Sequence, residues 1–129
     1  MAFMIHNYAD GRVPANEYIA AGAFTPKVGM ALVVENDVCT IATGADKPTH
    51  ICMTERDEAV EAGTIIPAFR CVTEMVLETA AAAVFDGVNV GDKVQISADG
   101  LNVTATEGGA AEVVYIDGTE QGAKIRVRF

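Results

Sequence analysis

The chain has 129 residues, half of them apolar, no tryptophan, and a formal charge of −9 with a pI near 4.5. That length suits one domain that buries roughly two-thirds of its unfolded surface. The charge excludes nucleic-acid binding, or attachment to an anionic membrane, through bulk electrostatics, since both want a basic footprint.

The cysteines are Cys39, Cys52 and Cys71. An odd set without tight spacing predicts free thiols in a reducing compartment rather than a disulfide framework. The N-terminus has no basic segment leading into an apolar run, so no signal peptide is read. No apolar run approaches ~20 residues, and no membrane span is expected.

Residues 1–23 read as an extended N-terminal arm, ahead of a single β domain over residues 24–129. Asp10-Gly11 and Pro14 are turn signals in the arm. Phe3, Met4, Ile5 and Tyr8 precede the turn. Two readings stand for these four apolar residues: a docking surface for a partner, or closure of one end of the chain's own core.

Residues 27–42 read as a hairpin, with strands at 30–34 and 38–42 around a turn at Glu35-Asn36-Asp37. A short strand follows at residues 49–54. The charged segment Glu55-Arg56-Asp57-Glu58 with Glu61 forms a turn, and residues 64–72 form a strand. Pro67 cannot donate to a ladder, which predicts an edge or bulged position for that strand. Residues 74–78 continue a strand, and Thr79 is placed as the cap of a short helix over Ala80–Ala83, because alanine is the best helix former.

Residues 91–106 carry the clearest pattern. A two-residue type I′ turn at Asp99-Gly100 would pair Ala98 with Leu101, Ile96 with Val103 and Val94 with Ala105, all apolar and all on one face. The other face would carry Lys93, Gln95, Ser97, Asn102, Thr104 and Thr106. Strands at 111–116 and 123–129 complete the chain. The last alternates Ile125, Val127 and Phe129 against Lys124, Arg126 and Arg128. The expected fold is therefore mainly β, a small antiparallel barrel or sandwich of about eight short strands with one short helix.

The common phosphate, dinucleotide and nucleophile-elbow motifs are absent, and no cofactor is called for. His50 and Cys52 would share a strand face. As a nucleophile pair they would need close contact and a cleft, and as part of a zinc site two further converging ligands. The competing reading makes Cys39, Cys52 and Cys71 small core hydrophobes. Glu55, Asp57, Glu58 and Glu61 lack the spacing of a calcium loop and read as a solvated turn. No catalytic and no metal residue is assigned. The stripe Lys124, Arg126 and Arg128 stands out in an acidic chain. It either pairs with acidic strands of the same molecule or meets an acidic partner.

In order, the chain presents Lys27-Val28-Gly29-Met30-Ala31-Leu32, then Lys47-Pro48-Thr49-His50-Ile51-Cys52-Met53, Ile65-Ile66-Pro67, Gly91-Asp92-Lys93-Val94, Ala98-Asp99-Gly100 and Ile125-Arg126-Val127-Arg128-Phe129. This series resembles the capsid decoration, or cement, proteins encoded in phage and prophage head-gene clusters. It is more distantly similar to lambda-type head decoration proteins. The resemblance implies a non-enzymatic structural virion protein. Such a protein is made in the bacterial host cytoplasm and forms a homotrimer on the capsid exterior, where it binds the major capsid protein and braces its lattice. Two other classes are weighed beside it: a small-molecule-binding or carrier β-barrel, and a Cys/His enzyme using His50 and Cys52.

Overall fold

The computed structural model describes residues 2–7 and 16–129, and Tyr8 with the Asp10-Gly11 and Pro14 turn signals lies outside them. Among the described residues there are eleven strands and no helix. They form two antiparallel sheets. The first, sheet A, holds β1 (Met4–Asn7), β7 (Val76–Ala80), β11 (Lys124–Arg128), β10 (Ala111–Ile116), β8 (Lys93–Ile96) and β9 (Val103–Glu107), in that spatial order. The second, sheet B, holds β2 (Asn16–Ala20), β6 (Ile65–Arg70), β5 (His50–Cys52), β3 (Ala31–Glu35) and β4 (Val38–Ile41). The arrangement is roughly that of a sandwich, and neither sheet closes into a barrel.

The core follows from the alternation of side chains along each strand. Leu77, Val94, Ile96, Val103, Val113, Ile125 and Val127 point inward from sheet A and pack with Ala31, Ile51 and Phe69 of sheet B. Phe3, Met75, Phe85 and Phe129 fill the same cluster. The neighbouring positions of sheet B, Leu32, Cys52, Ile66 and Ala68, form a second cluster with Cys39, closed by Phe24 and Val60. Sheet B is therefore apolar on both faces over part of its area, which explains the unbroken apolar run at residues 65–69.

The expected helix at Thr79–Ala83 is absent. Thr79 and Ala80 belong to β7, and the Thr79 hydroxyl donates to the Leu101 carbonyl at 2.8 Å. Ala81 N–H donates to the Ala123 carbonyl at 2.9 Å and Ala82 N–H to the Val103 carbonyl at 2.8 Å. Neighbouring strands satisfy these backbone groups, so they leave nothing for a helix, and tertiary pairing outweighs alanine's propensity.

The turn at Asp99-Gly100 also differs from expectation. Ser97 N–H donates to the Asn102 carbonyl and Gly100 N–H to the Ser97 carbonyl, which makes a four-residue loop. The Asp99 carboxylate accepts from the Ser97 hydroxyl at 2.6 Å and from Leu101 N–H at 3.0 Å. Ile96 does face Val103, but Val94 faces Glu107, because a bulge in β9 shifts the register. The two-residue turn with positive φ at both positions lies at Asn36-Asp37, φ 51° and 67°, between β3 and β4.

Pro67 does not mark an edge. Its strand, β6, lies between β2 and β5. At Pro67 the β5 ladder has already ended at Cys52, and the Pro67 carbonyl accepts from Met53 N–H at 3.0 Å. The missing donor therefore falls on the β5 side, at the point where that ladder stops.

The two sheets repeat one five-stranded pattern. The order β2-β6-β5-β3-β4 recurs as β7-β11-β10-β8-β9, each strand replaced by the one five places later in the chain. The hydrogen bonds recur with it. Ala21 N–H to Thr64 carbonyl (2.8 Å) matches Ala81 to Ala123 (2.9 Å), and Gly22 N–H to Cys39 carbonyl (2.8 Å) matches Ala82 to Val103 (2.8 Å). Gly63 N–H to Ala21 carbonyl (2.7 Å) matches Gly122 to Ala81 (2.9 Å), and Gly29 N–H to Cys52 carbonyl (2.8 Å) matches Gly91 to Val113 (2.8 Å). Each repeat thus curls until one parallel bridge, Ala21 to Cys39 or Ala81 to Val103, links its first strand to its far edge. Strand β1 falls outside the repeat and pairs with β7.

Candidate functional site

Pairing places four side chains in one row across sheet A: Met4 beside Glu78, Glu78 beside Arg126, and Arg126 beside Tyr115. All four sit on the parity opposite to the core residues Leu77, Ile125 and Val127, so the row faces outward. Met4 is 57% exposed and Tyr115 38%. Arg126 Nε lies 3.0 Å from Glu78 Oε1, and its guanidinium is 4.4 Å from the Tyr115 ring centroid. His6 Nδ1 approaches the same Glu78 oxygen at 3.9 Å. Arg128 is held by Glu112 at 2.8 Å on the same sheet.

The seven residues singled out in the sequence therefore separate. Met4, Lys124, Arg126 and Arg128 share the outer face of sheet A. Phe3 is buried and its ring packs on Phe129. Ile5 is half-buried against the main core. Tyr8 lies outside the described residues. Of the basic stripe, Arg126 and Arg128 are paired with the chain's own carboxylates, and Lys124 stands opposite Ala80 in the register.

His50 is buried, with Nε2 3.0 Å from Glu17 Oε1 and Nδ1 2.9 Å from Thr49 Oγ1. A carboxylate only accepts, so Nε2 carries the proton toward Glu17, and in neutral His50 the Thr49 hydroxyl donates to Nδ1. Thr49 Oγ1 also accepts Val34 N–H at 3.1 Å. Glu17 is bound bidentately by Arg70, at 2.9 and 3.0 Å. Hydrogen bonds from Arg70 first, then His50, hold the Glu17 carboxyl below its ordinary range. His50 is thus committed to a cross-strand network joining β2, β5 and β6. Cys52 instead donates to the Thr54 carbonyl at 3.3 Å.

All three cysteines are free thiols. Burial pushes Cys39 up to about 11, with a smaller contribution from neighbouring Cys52, and burial pushes Cys71 up to about 12. Cys52 is raised by burial as well. Thiols in this condition are poor nucleophiles. Glu58 and Glu61 line an open depression with Arg56, Asp57, Val60 and Thr64. Among the described residues, no group of three His, Cys, Asp or Glu side chains is placed to hold a metal ion.

No family of known proteins matches this chain, and comparison with characterised protein sequences finds no match. The site therefore rests on its own geometry.

A second exposed group escaped the sequence reading. Tyr18 (72% exposed) faces Pro67, and Ile65 (58%) faces Ala20, on one side of β2 and β6. Met53 (39%) lies beside Pro67, to which its backbone is bonded. In the repeat, Tyr18 corresponds to Glu78, Pro67 to Arg126 and Ile65 to Lys124. The same face is apolar in one repeat and charged in the other. Sequence periodicity could not reveal it, because residues 65–69 are apolar on both parities except for the proline.

Proposed function

We propose that this chain is a structural virion protein that binds the exterior of an icosahedral phage head and stabilises the coat-protein lattice. The observation that carries the reading is the Met4–Glu78–Arg126–Tyr115 row on the outer face of sheet A. Methionine, arginine and tyrosine are enriched at protein interfaces. The Glu78–Arg126 pair is already formed, so docking orders few side chains further and costs less entropy. An acidic chain of −9 charge is suited to coat loops of opposite sign. Assembly as a homotrimer on the head would multiply a modest contact through avidity.

The test is co-sedimentation with expanded heads assembled from the major coat protein of the gene cluster that encodes this chain. Saturable binding of the native chain is expected, together with at least tenfold weaker binding of Tyr115→Ala combined with Met4→Asp, the loss typical of a hot-spot pair. A chain that stays in the supernatant at every head concentration refutes the proposal.

A further inference from the structure

Lys47, Lys93, Arg128, Glu112, Thr73 and Phe129 line a concavity of about 260 Å³. Its cations come from distant parts of the chain. Lys93 opens β8 and Arg128 closes β11, and both stand opposite Glu112 of β10 in the register. These three side chains share the outward parity, since Val94, Val113 and Val127 belong to the core. Lys47 enters from the loop between β4 and β5. Cys71 N–H donates to the Thr49 carbonyl at 2.8 Å, which ties the segment carrying Thr73 to the one carrying Lys47.

The neighbouring carboxylates are already engaged. Arg128 Nε and Nη2 both donate to Glu112 Oε1, at 3.1 and 2.8 Å. Asp46, next to Lys47, turns its carboxylate back onto Thr43 N–H at 3.1 Å, and Asp92, next to Lys93, turns its own onto Asn89 N–H at 2.9 Å. Glu107 shares a separate open depression with Lys93 and makes no ion pair with it. Among the described residues neither Lys47 nor Lys93 has an ion-pair partner, in a chain with 18 acidic and nine basic side chains. Cations gathered without a counter-charge raise one another's energy, and an anion in the concavity removes that cost.

We propose that this concavity binds a small phosphate-bearing anion, held between Lys47, Lys93 and Arg128 with the Thr73 hydroxyl as a further donor. The inference stands apart from head binding and needs no coat protein. Three cations against one side-chain carboxylate leave an excess of two positive charges. A phosphate monoester near neutral pH carries a charge of about −1.5 to −2 and matches that excess. The donors reach the concavity from separate strands and loops, and Arg128 Nη1 has no partner among the described residues. A carboxylate offers such donors two oxygens, whereas a phosphate offers at least three strong acceptors. The net charge of −9 repels polyanions at long range, which favours a small ligand over a nucleic acid.

The test is titration of the full chain with inorganic phosphate at pH 7 and constant ionic strength, with chloride as the balancing anion, followed by amide NMR. Saturable shifts are expected at Lys47, Thr73, Lys93 and Arg128. Lys47→Gln and Lys93→Gln, at exposed positions that leave the fold intact, are each expected to weaken binding roughly fivefold, the upper end for one exposed charge pair. Together they are expected to weaken it more than about tenfold. Arg56→Gln removes the same charge at an exposed position outside the concavity and is expected to change binding less than about twofold. Glycerol phosphate is titrated alongside: binding at least as tight as that of inorganic phosphate assigns the site to phosphate esters, and weaker saturable binding assigns it to the inorganic ion. Shifts that stay linear in phosphate overturn the proposal, as do equal shifts with acetate at the same concentration. A loss with Arg56→Gln equal to that with Lys93→Gln assigns the effect to the overall field of the chain and overturns it too.

Discussion

Phe3 and Phe129 meet in the main core with ring centroids 5.7 Å apart and planes tilted by 59°. The contact ties the strand that stands outside the repeat to the end of the second repeat. Phe3 is 2% exposed and Phe129 9%. Backbone bonding reinforces it, since Phe3 N–H donates to the Gly29 carbonyl at 2.9 Å.

Truncation of either ring should therefore be severe. Phe3→Ala and Phe129→Ala are each expected to cost about 3–5 kcal/mol, the range for large-to-small changes in a packed core. Tilted aromatic pairs add about 0.5–1.5 kcal/mol beyond area. Urea unfolding of the two single variants and the double variant should recover a coupling of that size. Additive losses would mean that the rings merely share a cluster.

Glu17 predicts a pH dependence with a definite sign. Its folded carboxyl lies below the ordinary value of 4.5, through hydrogen bonds from Arg70 and His50. A depressed carboxyl contributes stability that is present above the unfolded value and lost as pH falls through the folded one. The side chain is 38% exposed, so screening limits the contribution to about 1 kcal/mol or less. Glu17→Gln is expected to be less stable than the native chain at pH 7, with the difference shrinking as pH falls below the ordinary value of 4.5 and through the lower folded one. Thermal melts across pH 2.5–7 check this, and a difference that persists at the acid end would assign the effect to packing.

The two hairpin turns should respond oppositely to glycine. Asp37 holds φ 67° at an exposed position. Asp37→Gly is expected to stabilise by a few tenths to about 1 kcal/mol, because the left-handed region penalises a side chain there. Asp99 accepts two hydrogen bonds inside its loop. Asp99→Gly is expected to cost about 1 kcal/mol. Melting temperatures of the pair should move in opposite directions, and a rise in both would refute the turn assignments.

Thiol reactivity offers another check. Burial lifts Cys39 to about 11 and Cys71 to about 12, leaving little thiolate at pH 8. A disulfide dye at pH 8 is expected to label the folded chain slowly and to report three thiols promptly in denaturant. One fast-reacting thiol in the folded chain would reopen a nucleophilic role.

Local chemistry was readable where a residue has few alternatives. The C-terminal alternation placed Ile125 and Val127 inside and Arg126 outside. Ile96 faces Val103 as read. The bulge that carries Val94 past Ala105 to Glu107 was not visible, since either register keeps Val94 inside. Thr79 and the alanines after it misled for a different reason. Intrinsic propensity speaks for isolated segments, whereas these backbones lie within reach of Leu101, Val103 and Ala123. The repeat left faint traces, Val28-Gly29 against Val90-Gly91 and Glu61 with Gly63 against Glu120 with Gly122. A valine, two glycines and a carboxylate in common are too few to align by eye.

By itself the sequence determined a mainly β chain with its turns, most of its inward residues and an acidic surface. These follow from local sterics, alternation and charge, which act between neighbours in the chain. Only the tertiary structure decided that Arg126 and Arg128 are neutralised by Glu78 and Glu112, that Phe3 is core while Met4 is surface, and that two curled sheets repeat one pattern, with β1 added to the edge of the second repeat. Those outcomes depend on which strands lie side by side. Pairing between strands far apart in the chain is set by the packing of the whole core rather than by any one segment.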